Sequence, residues 1–376
     1  MPRILRPLAL CLLLALVFPL LCSATSTAAT AAVPACSAKA FCLLECEGGE
    51  VLVAHNESER LPMASTTKIM TALVVLEQLP LDRVVRVPAC AVGTEGSSIY
   101  LYKDEQITVE TLLYALMLSS ANDAAVALAV ESAGSVERFC ELMNQKATAL
   151  GLADTHFANP HGLPCEGHYT TARDLARLTA AALQNKVFAE IVATRRYTAP
   201  QSGTDATRLF LNHNKLLRQL DGAIGVKTGY TKAAGRCLVS AVRRDGMTLI
   251  AVTLNAPSDW QDHTSLHEWG FATFERYAPD PPSLTLPVVG ASVDTLTLIP
   301  DGKPSLLLPR EHGEITCHTE APRFLFAGVK KGARVGRLLY RLDGRVIAEI
   351  PLVCADTAET QKPQGLWARL KNLFGK

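Results

Sequence analysis

The order of apolar and polar positions divides the chain into a helical middle flanked by strands, followed by a stretch of short strands alone. Phe41-Cys42-Leu43-Leu44 and Val51-Leu52-Val53 are apolar runs on either side of Gly48-Gly49, which predicts a β-hairpin. Pro62 ends what precedes it. From Lys68 onward, Ile69, Met70, Leu73, Val74 and Leu76 make an apolar helical stripe, so this helix is expected to be buried. Thr108 is placed to cap the next helix, whose apolar face is Leu112, Leu113, Leu116 and Met117. That helix stops at Ser119-Ser120-Ala121-Asn122, and another runs from Asp123 through Val126, Leu128 and Val130. Further helices are expected from about Val136 to Leu150 and from Thr171 through Leu175, Leu178 and Ala182. Asn159-Pro160-His161-Gly162-Leu163-Pro164 reads as a loop between them.

Lys227-Thr228-Gly229 opens a strand region that continues through Leu238-Val239-Ser240-Ala241-Val242. Asp245-Gly246 makes a hairpin turn, Thr248-Leu249-Ile250-Ala251-Val252 returns, and a helix follows from about Asp259 to Tyr277. The first and last strands are expected to share one antiparallel sheet with the helical block packed against it, as one α/β (α+β) unit over residues 36–278. Pro279-Asp280-Pro281-Pro282 is a linker. Beyond it, Thr295–Leu298, Phe324–Phe326, Arg337–Tyr340 and Val346–Ile350 alternate with Gly and Pro turns, and no helical stripe appears. Residues 283–355 therefore predict a small all-β domain, at about 75 residues large enough to be an independent unit.

Chemistry enters at Pro62-Met63-Ala64-Ser65-Thr66-Thr67-Lys68, where a turn runs straight into the buried helix. Ser65 and Lys68 stand three residues apart, on one helical face, with Cβ atoms roughly 5–6 Å apart. A Ser hydroxyl is a poor nucleophile until a neighbouring base takes its proton. A Lys amine is that base only when neutral, so its ordinary pKa near 10.4 must be lowered by burial or by a second cation. Ser-x-x-Lys alone arises by chance about once or twice in a chain this long, and the pair taken by itself is more readily a helix N-cap serine with a solvated lysine.

Composition narrows the partners. The 376 residues carry a net charge of +1, which argues against a nucleic-acid partner and its need for a basic surface. Length suits two domains, and a hydrophobic content of 48% suffices for a substantial core. Of eleven cysteines, two lie in the N-terminal leader, and the other nine show no Cys-x-x-Cys pairing of the metal-binding kind. Cys140 and Cys237 fall on helix and strand patterns as small core residues, and Cys317 with Cys354 is a candidate pair that sequence leaves open. Met1 to Ala24 reads as a secretory signal peptide: Arg3 and Arg6, the apolar run Leu8 to Leu21, then Cys22-Ser23-Ala24 as a small-x-small cleavage site. The run is short for an uncleaved anchor, and Leu21 is too bulky before Cys22 for a lipoprotein signal. The expected location is across the cytoplasmic membrane, on its outer side. In residues 363–376, Leu366, Trp367, Leu370, Leu373 and Phe374 share one helical face with Arg369, Lys371 and Lys376 off it. This predicts an amphipathic helix lying on a membrane surface, with a helix packed onto the β domain as the rival.

Ser65-Thr66-Thr67-Lys68, Ser120-Ala121-Asn122 and Lys227-Thr228-Gly229 each occur once, the last expected by chance only about a tenth of a time. Their order, on a helix start, a helix–helix turn and a sheet strand, resembles the serine penicillin-binding enzymes. The flanks, Leu61 to Leu73, Ser119 to Ala125, Asn159 to Leu163, and Gly225 to Thr231 with Ala234-Gly235, are similar to the low-molecular-weight D-alanyl-D-alanine carboxypeptidases. The resemblance covers nearly the whole chain after the leader. It implies a β-lactamase/transpeptidase-like domain with an antiparallel sheet and helical block, followed by the small all-β domain. It also implies that Ser65 attacks the carbonyl between two D-alanines and that neutral Lys68 takes its proton. Ser120 then relays a proton to the leaving D-alanine, while Asn122 hydrogen-bonds the substrate amide and Lys68. Lys227 supplies the second cation and attracts the substrate carboxylate, to which Thr228 offers its hydroxyl. Gly229 admits the substrate backbone, and the N–H groups of Ser65 and Tyr230 form the oxyanion hole. The implied partners are peptidoglycan stem peptides and β-lactam antibiotics, with no metal or organic cofactor.

One departure concerns the carboxylate. Some relatives place an Arg after the return strand to bind it; here that region reads Asn255-Ala256-Pro257, with Arg236 nearby in sequence. Competing readings are a class A β-lactamase and a non-catalytic sensor of peptidoglycan or β-lactam. The Glu-x-x-Leu-Asn pattern of the first is absent, since Glu166 is followed by Gly167-His168-Tyr169. The second predicts loss of a catalytic residue, and none is lost. His263 and His267 stand four apart, as metal ligands can, but lack the Glu of His-Glu-x-x-His, which makes a packed or surface helix face the expectation.

Overall fold

The computed structural model describes residues 32–201 and 203–361, so the expected signal peptide (1–24) and amphipathic tail (363–376) lie outside the described residues. Strands β1 (Ala40–Glu45) and β2 (Val51–His55) form the expected hairpin. A 3-10 turn at Ala64–Thr67 leads into α1 (Lys68–Gln78), which is buried without interruption from Lys68 to Val75. Helices apolar on every side sit inside a fold, and this one brings Lys68 in with it. The short strands β3 (Val84–Arg86) and β4 (Gln106–Thr108) pair before α2 (Val109–Leu118). Thr108 caps α2 as expected, its Oγ1 accepting the Thr111 N–H at 3.2 Å. Helices α3 (Asn122–Ala133), α4 (Val136–Ala149), α5 (Ala172–Leu183) and α6 (Lys186–Ala193) complete the block. Thr171 caps α5 in the same way, accepting the Asp174 N–H at 3.1 Å.

Next come the hairpin of β5 (Arg196–Pro200) with β6 (Thr207–Leu211), the single turn α7 (Leu216–Gln219), and strands β7 (Ala223–Thr231), β8 (Gly235–Arg244) and β9 (Met247–Leu254). The five-stranded antiparallel sheet has the order β2-β1-β9-β8-β7, so the first and last strands do share one sheet. Every residue of β9 is buried because both faces of the sheet are covered. Cys42, Leu44, Val239, Ala241, Ile250 and Val252 point into the helical block. Leu43, Leu238, Val242, Leu249 and Ala251 point the other way, onto Leu266 and Phe271 of α8 (Asp259–Thr273). The two-residue period of the strands splits them into these two cores.

Two expectations are corrected. The helix predicted to reach Tyr277 ends at Thr273, and Phe274–Tyr277 is instead the strand β10, which pairs with Leu306–Pro309. Long-range pairing outweighs local helix preference there, and Arg276 of that strand bridges to the buried Glu45 at 3.2 Å. Lys227 does not open its strand either: β7 begins at Ala223, and β8 is a separate strand returning from Gly235.

Beyond the linker, β11 (Leu284–Val289), β12 (Thr295–Pro300), β13 (Leu306–Pro309), β14 (Ile315–Glu320), β15 (Leu325–Phe326), β16 (Arg334–Leu342) and β17 (Arg345–Cys354) follow. All but β13 form a sheet of order β14-β16-β17-β12-β11-β15 around Leu286, Leu298, Leu338, Tyr340 and Leu352. The nine described cysteines are free; Cys140 and Cys237 are buried as expected, while Cys317 is exposed and unbonded to the buried Cys354. Among the described residues no helix is long and apolar enough to cross a membrane.

The double-sided burial of β9 makes it sensitive to truncation. Ile250→Ala is expected to lower unfolding stability by about 2–5 kcal/mol. Urea denaturation followed by circular dichroism measures it, and a loss below about 1 kcal/mol contradicts the assigned core.

Candidate active site

Ser65 lies in the 3-10 turn that the following threonines tie down. Thr66 Oγ1 donates to the Met63 carbonyl at 2.6 Å, and Thr67 Oγ1 donates to the Ala64 carbonyl at 2.8 Å. His168 Nε2 stands 2.8 Å from Thr67 Oγ1, while its Nδ1 accepts the Ala158 N–H at 3.0 Å. Nε2 is therefore the protonated nitrogen. Burial pushes the His168 imidazole down to about 4, which keeps that tautomer neutral. Two glycines let the backbone close in on this turn. At Gly162, with φ +93°, a Cβ would lie 1.9 Å from the Ala64 carbonyl oxygen. At Gly229 a Cβ would stand 3.0 Å from the Ser65 nitrogen. Gly229 thus brings β7 against the backbone of the Ser65 turn.

Lys68 is fully buried, and its amine meets three oxygens: Ser65 Oγ at 3.0 Å, Asn122 Oδ1 at 2.6 Å and the His161 carbonyl at 2.6 Å. Burial holds the amine well below its usual pKa, the nearby Lys227 charge pushes the same way, and Asp123 opposes them. In the neutral amine, two N–H bonds serve the amide and carbonyl oxygens, which can only accept. The lone pair is left for the Ser65 hydroxyl, which can donate. His161, expected to shape its loop, thus contributes its carbonyl to the lysine, and its ring Nδ1 accepts the Leu163 N–H at 3.2 Å.

The start of α3 is clasped by the preceding loop. Asn122 Nδ2 donates to the Glu95 carbonyl at 2.6 Å, and the Asn122 N–H donates to the Ser97 carbonyl at 2.7 Å. Buried Asp123 holds the same loop, accepting from Ser98 Oγ at 2.6 Å and the Leu101 N–H at 3.0 Å. Ser120 precedes them, in the turn between α2 and α3, in a left-handed conformation, φ +59°. Such a backbone is uncommon for a residue with a side chain and occurs at functional turns. Lys227 comes from β7, is buried, and donates from Nζ to the Thr228 carbonyl at 2.9 Å; burial lowers its pKa to about 7.

Ser65, Ser120, Thr228, Gly229 and Tyr230 line one cavity of about 280 Å³. Lys68, Asn122 and Lys227 stand behind it with their polar ends buried. All eight residues singled out from the sequence therefore converge. The cavity also takes Ser97, His213, Arg236, Asp259 and Trp260, which the sequence reading did not assign to a site. For Arg236 a signal existed: the β7–β8 hairpin register sets it opposite Tyr230. For Ser97 and the Glu95 carbonyl, no motif points to a loop that acts through its backbone. His263 and His267 lie elsewhere, packed between α8 and the sheet: both meet Ser240 Oγ, at 2.6 and 2.7 Å, and His263 Nε2 meets Thr253 Oγ1 at 2.9 Å.

Comparison with known proteins covers most of the chain. Residues 27–258 match the D-alanyl-D-alanine carboxypeptidase family, and residues 271–360 match the C-terminal domain family of penicillin-binding protein 5. The chain is similar to D-alanyl-D-alanine carboxypeptidase DacF of Bacillus subtilis, 32% identical over 90% of this chain and 89% of the relative. It is also similar to DacC of Escherichia coli, 32% identical over 88% and 86%. Penicillin binding protein 5 from Haemophilus influenzae superposes with a TM-score of 0.68 at 28% identity, covering 87% of this chain and 98% of the other. The Streptomyces K15 DD-transpeptidase superposes with a TM-score of 0.62 at 37% identity, covering 64% of this chain and 99% of the other. Sequence and fold agree, and the chain belongs to the D-alanyl-D-alanine carboxypeptidase family.

Proposed function

We propose that this protein removes the C-terminal D-alanine from peptidoglycan pentapeptide stems through an acyl-enzyme on Ser65. The observation that carries the reading is the Lys68 amine, whose two N–H bonds are taken by Asn122 and the His161 carbonyl while its lone pair faces Ser65 Oγ. Neutral Lys68 takes the Ser65 proton as Oγ attacks the carbonyl between the two D-alanines. The Ser65 and Tyr230 N–H groups bind the developing oxyanion. Ser120 relays a proton to the departing amine, D-alanine leaves, and water hydrolyses the ester to free Ser65. Asn122 has one Nδ2 proton left after its bond to Glu95, and that proton is available to the substrate amide. Lys227 opposes protonation of Lys68 and, with Thr228, favours a substrate carboxylate. The steps need no cofactor.

A β-lactam presents an amide carbonyl to the same Ser65 and acylates it, which makes these antibiotics inhibitors. The β-lactamase alternative gains nothing from Glu166, which is exposed on its loop. The sensor alternative is disfavoured by retention of every acid–base group. For location, the leader and the amphipathic tail support export across the cytoplasmic membrane and peripheral attachment to its outer face through residues 363–376. Stem peptides would then lie in the wall above.

Three outcomes follow. Purified protein is expected to take one penicillin on Ser65 by mass spectrometry and to release D-alanine from a peptide ending in D-Ala-D-Ala. An adduct that persists in Ser65→Ala refutes the nucleophile, and acylation without D-alanine release favours the sensor. In the pH–acylation profile, the acidic limb reports conversion of Lys68 from ammonium to free amine. Lys227→Gln removes a like charge, raises the Lys68 pKa and moves that limb to higher pH. An unshifted limb means that burial alone tunes the base. Removing residues from Leu366 onward is expected to abolish flotation with anionic liposomes while leaving peptide hydrolysis intact; if the untruncated form also fails to float, the attachment is wrong.

A further inference from the structure

A peptidase confined to the last peptide bond must recognise the free carboxylate one residue beyond the carbonyl it attacks. Otherwise an internal peptide fits as well as a terminal one. Recognition of that group calls for a cation that stays charged at working pH and has donors to spare. Lys227 is poorly suited to the task alone. It is buried behind β7, its Nζ already donates to the Thr228 carbonyl, and burial lowers its pKa to about 7. His213, also on the cavity, is held below its usual range by burial and by Lys227.

Arg236 is the one side chain lining the cavity, among the described residues, that carries a permanent positive charge. The register of β7 and β8 sets it opposite Tyr230, with Thr228 two residues away on the same strand as Tyr230. By the two-residue period these three share a face, while Lys227 and Gly229 lie on the other, toward the Ser65 turn. The guanidinium is half-exposed and is held by Asp259 Oδ1 at 2.9 Å, a carboxylate that is itself buried at the start of α8. That same oxygen accepts the Trp260 N–H at 2.9 Å. The Asp259 charge is thus partly met by the N-terminus of its own helix. It fixes Arg236 without using up the guanidinium, which keeps further N–H donors for a second carboxylate.

The turn after β9 supports this assignment. Asn255-Ala256-Pro257 offers no cation, and it is pinned against the root of Arg236: the Ala256 N–H donates to the Arg236 carbonyl at 2.9 Å. A Cβ at Gly235 would lie 2.3 Å from Asn255 Oδ1, so the turn sits tight on β8. The cation at this end of the cavity therefore comes from β8.

We propose that Arg236 is the specificity-determining residue that ion-pairs with the terminal carboxylate of the substrate beside the Thr228 hydroxyl, and so confines cleavage to the last bond. This rests on the carboxypeptidase reading above. The test compares steady-state kinetics on two N-acylated peptides that differ only at the end, one D-Ala-D-Ala acid and one D-Ala-D-Ala amide. Wild type is expected to prefer the acid. Arg236→Gln lowers kcat/KM for the acid about ten- to hundred-fold, chiefly through KM, and lowers the amide rate far less. Arg236→Lys restores part of the preference. Asp259→Asn, which frees the guanidinium without removing it, lowers the acid preference several-fold and decides the matter if Arg236→Gln does not fold. An undiminished acid preference in Arg236→Gln, or an equal fall on both peptides, overturns the proposal while the carboxypeptidase reading stands. Turnover of neither peptide by wild type overturns that reading, and this inference with it.

Discussion

Everything at the centre of this molecule follows from holding one lysine amine where water cannot reach it. Burying a charged amine is costly, so Lys68 is driven toward its neutral form unless charge and hydrogen bonds compensate. The site supplies the hydrogen bonds and withholds most of the charge. Asn122 and the His161 carbonyl satisfy the donors, and the adjacent cation, Lys227, acts against protonation. Asp123 is the one partner that acts the other way, and it is occupied with the Ser98 hydroxyl and the backbone N–H groups of the loop over the site. A desolvated amine with its two N–H bonds engaged has one direction left for its lone pair. The fold places a hydroxyl there.

That geometry depends on surfaces far from the amine. The Ser65 turn is fixed from behind by the loop containing Gly162 and from the front by β7 at Gly229, and in each case a side chain would meet backbone or nearly so. The strand can take this position because the sheet is clamped on both faces, by the helical block and by α8. The same α8 carries Asp259 to the mouth of the cavity. The two cores therefore serve different parts of one site. The helical core buries the amine, and the α8 core positions the mouth.

The sequence displayed the chemistry more openly than the architecture. The apolar stripe after Lys68 foretold the burial of the amine, and Thr108 and Thr171 marked helix starts, because periodicity and capping are local properties. Three short motifs named seven of the eight residues that the fold brings together, and Tyr230 directly follows the last of them. What stayed hidden depended on distant partners. Phe274–Tyr277 continues an apparently helical stretch, yet it is drawn into a strand by Leu306–Pro309. The beginning of β7 was masked by Gly225, whose φ of +146° suits no other residue well and whose lack of a side chain interrupts the apolar pattern. The carbonyls of His161 and Glu95 have no signature at all, since every residue carries one. Arg236 was visible as a residue but not as part of the cavity that Ser65 lines, because its place depends on the pairing of β7 with β8.

Burial also sorts the three cations around Ser65 into different parts. Lys68 is enclosed and has a charged neighbour, so its proton is the easiest to lose. Lys227 is equally enclosed, but desolvation alone acts on it, so its pKa falls only to about 7 and its charge is present on the acid side of neutrality. Arg236 stands at the cavity mouth, half in water and braced by a carboxylate, where a guanidinium stays charged throughout. A base, a tunable charge and a permanent charge thus arise from three basic residues, two enclosed and one at the mouth. Exchanging Arg236 for a lysine at the mouth would keep the charge but lose the planar fork that can hold Asp259 and a second carboxylate together. Exchanging Lys68 for an arginine would place an amine's lone pair beyond reach, because a guanidinium does not give up its proton in a protein. The order of residue types from the interior to the mouth is therefore set by which group can lose a proton and which cannot.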